Sequence, residues 1–272
     1  MQLIDSHCHF DFEAFDNDRV SLWQHAQKIG ITALLIPGVS PQQWSKADTI
    51  CQQLQGIAMA AGLHPWWLAG WQQAMTSTTS NPFSRVALQQ LRNAITTQAS
   101  QAHCVAIGEC GLDGFIDTPM EHQLAVFEMH IDLACELQLP LIIHNRKTHH
   151  QTLALLKRYQ PPCGGVIHGF SGSREVAQRY WQLGFYLGVG GTITYPRAVK
   201  TRKAIVALPL EALLLETDAP DMPISGRQGQ ANSPVFLPEI AGCLAQLTGI
   251  KRDAIARQTS ANCRSLFRQW RI

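Results

Sequence analysis

A closed barrel of eight parallel strands, each followed by a helix, is the architecture this sequence predicts. Three observations carry that expectation. Eight short apolar runs recur along the chain, each followed by a longer stretch of helical period, which is the pattern of parallel βαβ units. The chain has 272 residues, close to the usual size of one such barrel and too short for two. An open doubly wound sheet would normally carry a glycine-rich fingerprint after its first strand, and the segment after the first run has none.

The expected strands, in order, are Leu3–Asp5, Ile31–Ile36, Ile57–Leu63, Val105–Ile107, Leu141–Ile143, Gly165–Ile167, Phe185–Val189 and Leu213–Leu215. Between them lie amphipathic stretches. Glu121 to Leu137 places Leu124, Phe127, Ile131 and Leu133 on one stripe, with Pro119 at the start. Ser173 reads as an N-cap, with Val176, Tyr180 and Leu183 following and Gly184 as the stop. Lys251 to Trp270 forms a last amphipathic helix. Two connections are expected as long loops: 65–82, with Trp66, Trp67 and Trp71 ahead of a Ser/Thr-rich stretch, and 219–234, rich in Pro and Gly. With no linker or repeat, residues 1–272 are expected to be a single domain.

The bulk composition excludes several classes. A formal net charge of +2 gives no global basic field. The eight cysteines show no C-x-x-C pair and sit mostly in apolar segments, so buried reduced thiols are expected rather than disulfides. The first residues lack the basic and apolar regions of a signal peptide. No apolar run approaches the roughly 20 residues of a membrane span. A cytoplasmic protein without a membrane partner or an obligate protein partner is the expectation.

The chemistry lies at the strand ends. His7 and His9 end strand 1, Glu109 strand 4, His144 strand 5, His168 strand 6 and Asp218 strand 8. All six sit where barrel enzymes build their sites. Side chains alternate along a strand, so His7 and His9 can face the mouth while Cys8 faces away. The same parity puts Val105, Ile107 and Glu109 on one inward line, and likewise Leu214, Glu216 and Asp218. A single strand-end His is usually a hydrogen-bonded structural residue, but coincidence fades when five strands supply ligand types to one rim. Four imidazoles and two carboxylates exceed the needs of one tetrahedral ion and suit two ions sharing a carboxylate. The expected cofactor is two divalent cations per chain: zinc, manganese, magnesium or similar.

Six motifs make the reading specific: Ile4-Asp5-Ser6-His7-Cys8-His9, Gly62-Leu63-His64-Pro65, Ile107-Gly108-Glu109-Cys110-Gly111-Leu112-Asp113, Pro140-Leu141-Ile142-Ile143-His144-Asn145-Arg146, Ile167-His168-Gly169-Phe170-Ser171-Gly172 and Leu215-Glu216-Thr217-Asp218-Ala219-Pro220. Together, and in this order, they resemble the TatD family of metal-dependent deoxyribonucleases and related hydrolases, among the amidohydrolase-like barrels. The resemblance implies that His7, His9, Glu109 and Asp218 hold one ion. Glu109, His144 and His168 would hold the other, with Glu109 bridging. It also implies hydrolysis of ester bonds, with Asp218 and Glu109 catalytic and a nucleic acid or small phosphoester as substrate. The chain departs from the family where Asp113 is followed by Gly114-Phe115 instead of a tyrosine, and its segment after strand 3 is longer. Both departures bear on the substrate.

Other residues keep two readings at this stage. His64 either donates to a substrate oxygen or caps the Pro65 turn. Arg146, two residues beyond His144, either grips a phosphate or makes a surface ion pair. Glu216 either orients a ligating His or pairs with a buried polar layer. Arg197, Lys200, Arg202 and Lys203 either attract a polyanion or form a solvated helix face. Trp66, Trp67 and Trp71 either stack bases or plug the rim. Amide, lactone or aminoacyl-ester hydrolysis on the same centre is the competing activity. A metal-binding interaction module is the non-catalytic alternative, and the complete ligand set speaks against it.

Overall fold

The computed structural model describes residues 2–76 and 83–271. Its eight parallel strands pair in sequence order: β1 (Leu3–Asp5), β2 (Ile31–Ile36), β3 (Ile57–Ala61), β4 (Cys104–Asp113), β5 (Leu141–Arg146), β6 (Gly165–Ile167), β7 (Phe185–Val189) and β8 (Leu213–Leu215). The ring closes between its first and last strands. Ser6 N–H donates to Leu215 O at 2.9 Å, Asp218 N–H to His7 O at 2.8 Å and His9 N–H to Ala219 O at 2.8 Å. The expected barrel is therefore the observed one.

The outer layer is α1 (Arg19–Lys28), α2 (Pro41–Gln53), α3 (Leu68–Thr76), α4 (Arg85–Ala99), α5 (Met120–Leu137), α6 (His149–Tyr159), α7 (Arg174–Gln182), α8 (Val199–Val206), α9 (Leu237–Thr248) and α10 (Arg252–Leu266). Alternation along the strands builds two apolar shells. Leu3, Leu34, Ile36, Ile57, Met59, Leu141, Ile143, Leu213 and Leu215 pack outward against the helices. Ile4, Ala33, Leu35, Ala58, Ala60, Val105, Ile142, Val166 and Leu214 fill the barrel. Cys263, Leu266, Phe267 and Trp270, at the end of α10 and beyond it, join that interior shell. Ser260 reaches Gln2 O, and Asn262 reaches Leu210 O and Leu213 O, so α10 seals the N-terminal end of the barrel. The opposite end is left for chemistry.

Several boundaries differ from the sequence reading for local reasons. The segment after β3 is not loop throughout. Pro65–Trp67 forms a 3-10 turn that leads into α3, with Pro65 at the first helical position where its missing N–H costs nothing. Residues 77–82, the Ser/Thr-rich part, lie outside the described residues. The last helix covers 252–266 instead of 251–270. Parity also fails in β4: Val105 faces inward, but Ile107 packs outward with Cys110 and Leu112. Register shifts against β3 and β5 interrupt the alternation, and Glu109 faces the interior from within the second of them, between Ile107 and Cys110. Residues 219–234 form the expected Pro/Gly-rich connection, tied down by buried Asn232, whose Nδ2 donates to Thr217 O at 2.8 Å and Met222 O at 3.2 Å. Ser173 caps α7 through Val176 N–H, and Gly184 takes a φ of +82° just beyond it, both as expected. All eight cysteines are free, and no described helix is long and apolar enough to cross a membrane.

Candidate metal centre

Glu109 stands at the middle of the open barrel mouth, 1% exposed, and its two oxygens face two different groups. Oε2 lies 3.1 Å from His7 Nε2 and 3.6 Å from His9 Nε2. Asp218 Oδ1 completes that group, 3.4 Å from His7 Nε2 and 3.5 Å from His9 Nε2. Oε1 lies 2.8 Å from His168 Nε2 and 3.2 Å from His144 Nδ1, and those two nitrogens are 3.1 Å apart. Ligands about 2.0–2.1 Å from one tetrahedral ion are about 3.3–3.4 Å from each other. The four contacts of the two imidazoles with the two carboxylates in the first group, 3.1–3.6 Å, bracket that spacing.

The buried polar atoms tell the same story. His7 Nε2 and Glu109 Oε2 are buried without a hydrogen-bond partner, a costly condition unless something other than a hydrogen bond satisfies them. Burial and the neighbouring His168 lower the His7 pKa to about 4, whereas Glu109, acting against burial, pushes that of His168 up to about 10. Burial also opposes ionisation of Glu109, but the charge of His168 and the hydrogen bond to His144 act against it, and the carboxyl is held well below the usual range. The donor set fits divalent cations in number, chemistry and spacing.

The elements that place these side chains are short. His7 and His9 follow the last ladder residue of β1 in an extended segment pinned on both sides. Cys8 N–H donates to Leu35 O at 3.0 Å, and Cys8 itself packs outward, as does Cys110. Asp5 Oδ1 accepts the Thr217 N–H at 3.0 Å and Oδ2 the Thr217 hydroxyl at 2.6 Å, which locks the β1 end to the β8 end. Asp218 has a φ of +57°, unusual for a residue with a Cβ and frequent at functional sites. His7 and His168 stack at 3.9 Å.

A further carboxylate orients His144. Asp113 Oδ2 lies 3.1 Å from His144 Nε2, leaving Nδ1 for the centre, and it also accepts the Trp66 indole N–H at 2.7 Å. The His144 and Trp66 hydrogen bonds hold the Asp113 carboxyl below its ordinary range although burial works against them. Sequence reasoning included Asp113 in a motif but gave it no role. The available signal was its position four residues after Glu109.

His64 shows one of the two roles considered for it. Its Nδ1 accepts the Trp66 backbone N–H at 3.1 Å, which caps the turn. The proton then sits on Nε2, 3.2 Å from Glu109 Oε1. His64, Glu109 and His144 are close enough together to hold an ion, but this tautomer makes His64 a donor at the centre and not a ligand.

Glu216 is fully buried beneath the rim. Its Oε1 accepts the Gly169 N–H and lies 3.9 Å from His168 Nδ1, beyond a direct hydrogen bond. Burial pushes its pKa up to about 8. Gly188 leaves the space it fills: a Cβ there would come within 2.6 Å of the Glu216 carboxyl carbon. Arg146 is exposed, and its guanidinium lies 4.4 Å above the Phe115 ring. Among the described residues it has no carboxylate partner, so of its two readings the surface ion pair is absent there, and the guanidinium makes a cation–π contact instead. Lys200, Arg202 and Lys203 lie on α8 and Arg197 just before it, and Arg202 and Lys203 line an outer groove with Arg174. Trp71 is buried in the core, whereas Trp66 is 52% exposed.

The sequence comparisons agree with this geometry. The family described as TatD related DNase matches residues 4–268. The metal-dependent hydrolase YjjV of Escherichia coli K12 is 41% identical over 267 residues, covering 98% of each chain. The 3'-5' ssDNA/RNA exonuclease TatD of Erwinia billingiae is 34% identical over 263 residues, covering 93% of this chain and 94% of the relative. The crystal structure of YjjV superposes with a TM-score of 0.86 at 40% identity over 98% of both chains. A TatD family protein of Entamoeba histolytica shares the fold at 20% identity, with a TM-score of 0.81. The chain belongs to the TatD family of metal-dependent hydrolases.

Proposed function

We propose that the chain, acting as one unit over residues 1–272, hydrolyses phosphodiester bonds of nucleic acid with two divalent cations. The observation that carries this reading is the division of the Glu109 oxygens between two groups of ligand atoms. On it, His7, His9, Asp218 and Glu109 would hold one cation, and His144, His168 and Glu109 would hold the other. When bound, the cations acidify a water and neutralise charge building on the phosphoryl oxygens.

The protein's own residues supply the rest. Asp218 accepts the proton of the attacking water. Its side chain keeps 12% exposure against 1% for Glu109, so it is the carboxylate of the centre that solvent can reach. His64 directs its Nε2–H into the mouth, where a phosphoryl oxygen can replace its contact with Glu109 as acceptor. Arg146, unpaired by any described carboxylate, offers a planar fork to the same phosphate. Asp113 holds the His144 ring so that Nδ1 faces the centre. Three relationships favour nucleic acid over other esters: the match to the TatD related DNase family, the relatives named as single-strand DNA and RNA exonucleases, and the cation beside the mouth.

The test is a metal-replete assay on single-stranded DNA, duplex DNA, a small phosphodiester, and a panel of amides, lactones and aminoacyl esters. The proposal predicts turnover of single strands, releasing nucleotides from an end, and of the small phosphodiester. Turnover confined to the carboxylic esters or amides would transfer the site to the competing activity.

A further inference from the structure

We propose that Trp66 is the platform on which the terminal, unpaired base of the nucleic acid stacks, so that it selects base-bearing strand ends. This rests on the nuclease reading above and names the part of the substrate that the rim recognises.

Trp66 is 52% exposed, whereas Trp71 is 6% exposed and Trp67, whose ring lies 6.5 Å from that of Trp66, is half-buried. An indole left in water at an active-site mouth forgoes the gain of burial. Nor is it loose. Its backbone N–H is bound to His64 Nδ1 at 3.1 Å, and its indole N–H to Asp113 Oδ2 at 2.7 Å. The second bond consumes the only polar group the side chain has. A ligand arriving there meets a fixed aromatic face with no donor to offer, which suits stacking and little else. The ring centroid is 6.3 Å from the ring of His144 and 5.6 Å from that of His64. The platform therefore adjoins the centre where the phosphate would sit.

A second aromatic is tied to the same carboxylate. Phe115, 59% exposed, donates its backbone N–H to Asp113 Oδ1 at 2.8 Å and carries the Arg146 guanidinium 4.4 Å above its ring. Exposed rings beside a cation that no described carboxylate pairs match a strand of alternating bases and phosphates. A base inside a duplex has both faces covered by its neighbours, so the occupant is an unpaired one.

The experiment compares two single-stranded oligonucleotides that differ only in whether the terminal nucleotide carries a base or is abasic. Wild type, Trp66→Phe and Trp66→Leu are assayed metal-replete, and the readout is the ratio of kcat/KM for the two strands. Stacking on one aromatic ring should favour the base-bearing end by about 5- to 100-fold in wild type. Trp66→Phe keeps a ring and should keep most of that ratio, whereas Trp66→Leu should bring it close to one. Both variants lose the bond to Asp113, so any effect passed through His144 lowers both substrates alike and cancels in the ratio. As a binding readout without turnover, indole fluorescence of the chelated wild type should be quenched more by the base-bearing strand, and this difference should vanish in both variants. Equal rates on the two strands in wild type would overturn the proposal, as would a ratio that survives in Trp66→Leu. If neither strand is cleaved while an ester or lactone is, the nuclease reading itself fails, an outcome distinct from equal cleavage of both.

Discussion

His144 and Asp113 are bound 3.1 Å apart through Nε2 and Oδ2, and that contact decides which nitrogen of His144 faces Glu109. A carboxylate that fixes a ligating imidazole commonly accounts for 10- to 100-fold in metal affinity. Asp113→Ala should therefore weaken the ion held by His144 and His168 by about that factor and leave the His7, His9 and Asp218 group with near-normal affinity. Titration of the metal-free variant with manganese, followed by calorimetry, reads the two affinities separately. Unchanged binding of both ions would leave Asp113 with no part in the centre.

Asp218→Asn keeps the shape of the side chain and one acceptor but removes the base. With saturating metal and occupancy checked directly, kcat should fall by about 10²–10⁴-fold, the usual size of general-base catalysis. The melting temperature should hardly move, since the residue lies on the rim outside the packed shells. Near-normal kcat with both ions bound would show that another group takes the proton.

Gly188 tests how tightly Glu216 is held. The methyl of Gly188→Ala would press on the fully buried Glu216 carboxyl from 2.7 Å or less. Overpacking of this kind costs about 1–3 kcal/mol, a fall of roughly 3–10 °C in Tm. Glu216→Ala removes the obstructing group, so adding it to Gly188→Ala should cost less than the sum of the two single changes. Strict additivity in thermal melts would mean that the two positions do not meet.

His130 gives a pH signature remote from the centre. Its Nδ1–H donates to Val126 O at 2.7 Å and its Nε2 accepts the Leu63 N–H at 3.0 Å, so a second proton would remove an acceptor from a buried amide. Burial lowers its pKa from 6.5 to about 4. Above pH 6.5 the ring is neutral folded or unfolded, and its contribution is complete. Between 6.5 and about 4 the unfolded chain takes up a proton that the folded one refuses, so stability falls with falling pH, by up to about 3 kcal/mol. Urea midpoints measured from pH 7.5 to 4.5 should decline less steeply in His130→Gln than in wild type. Parallel declines would remove His130 from the acid sensitivity.

The barrel and the six converging residues were legible because both are periodic: strands alternate with helices, and ligand types recur toward the C-terminal side of the strands, although Glu109 and His144 lie within β4 and β5 and not at their ends. What escaped depends on contacts between distant segments or on irregular backbone. The run 105–107 hid a ten-residue β4, because Gly108, Glu109 and Gly111 interrupt its apolar character. The register shifts that carry Glu109 inward leave no trace in a pattern of period two, so Ile107 was placed on the wrong face. The Asp5–Thr217 seam joins residues 212 apart in sequence, and Asn232 holds its loop through carbonyls. No local signal announces either. His64 could not be resolved from sequence because its ring offers one nitrogen to each candidate role: Nδ1 caps the turn and Nε2 is left facing the centre.

The central claim is that Glu109 divides its two oxygens between two cations. The direct measurement is the metal content of wild type and Glu109→Ala after loading with excess manganese and gel filtration, alongside circular dichroism to confirm folding. The account predicts two ions per wild-type chain and loss of occupancy at both sites in the folded variant. Retention of a full equivalent of either ion by folded Glu109→Ala would contradict it, since that ion would then owe nothing to the shared carboxylate.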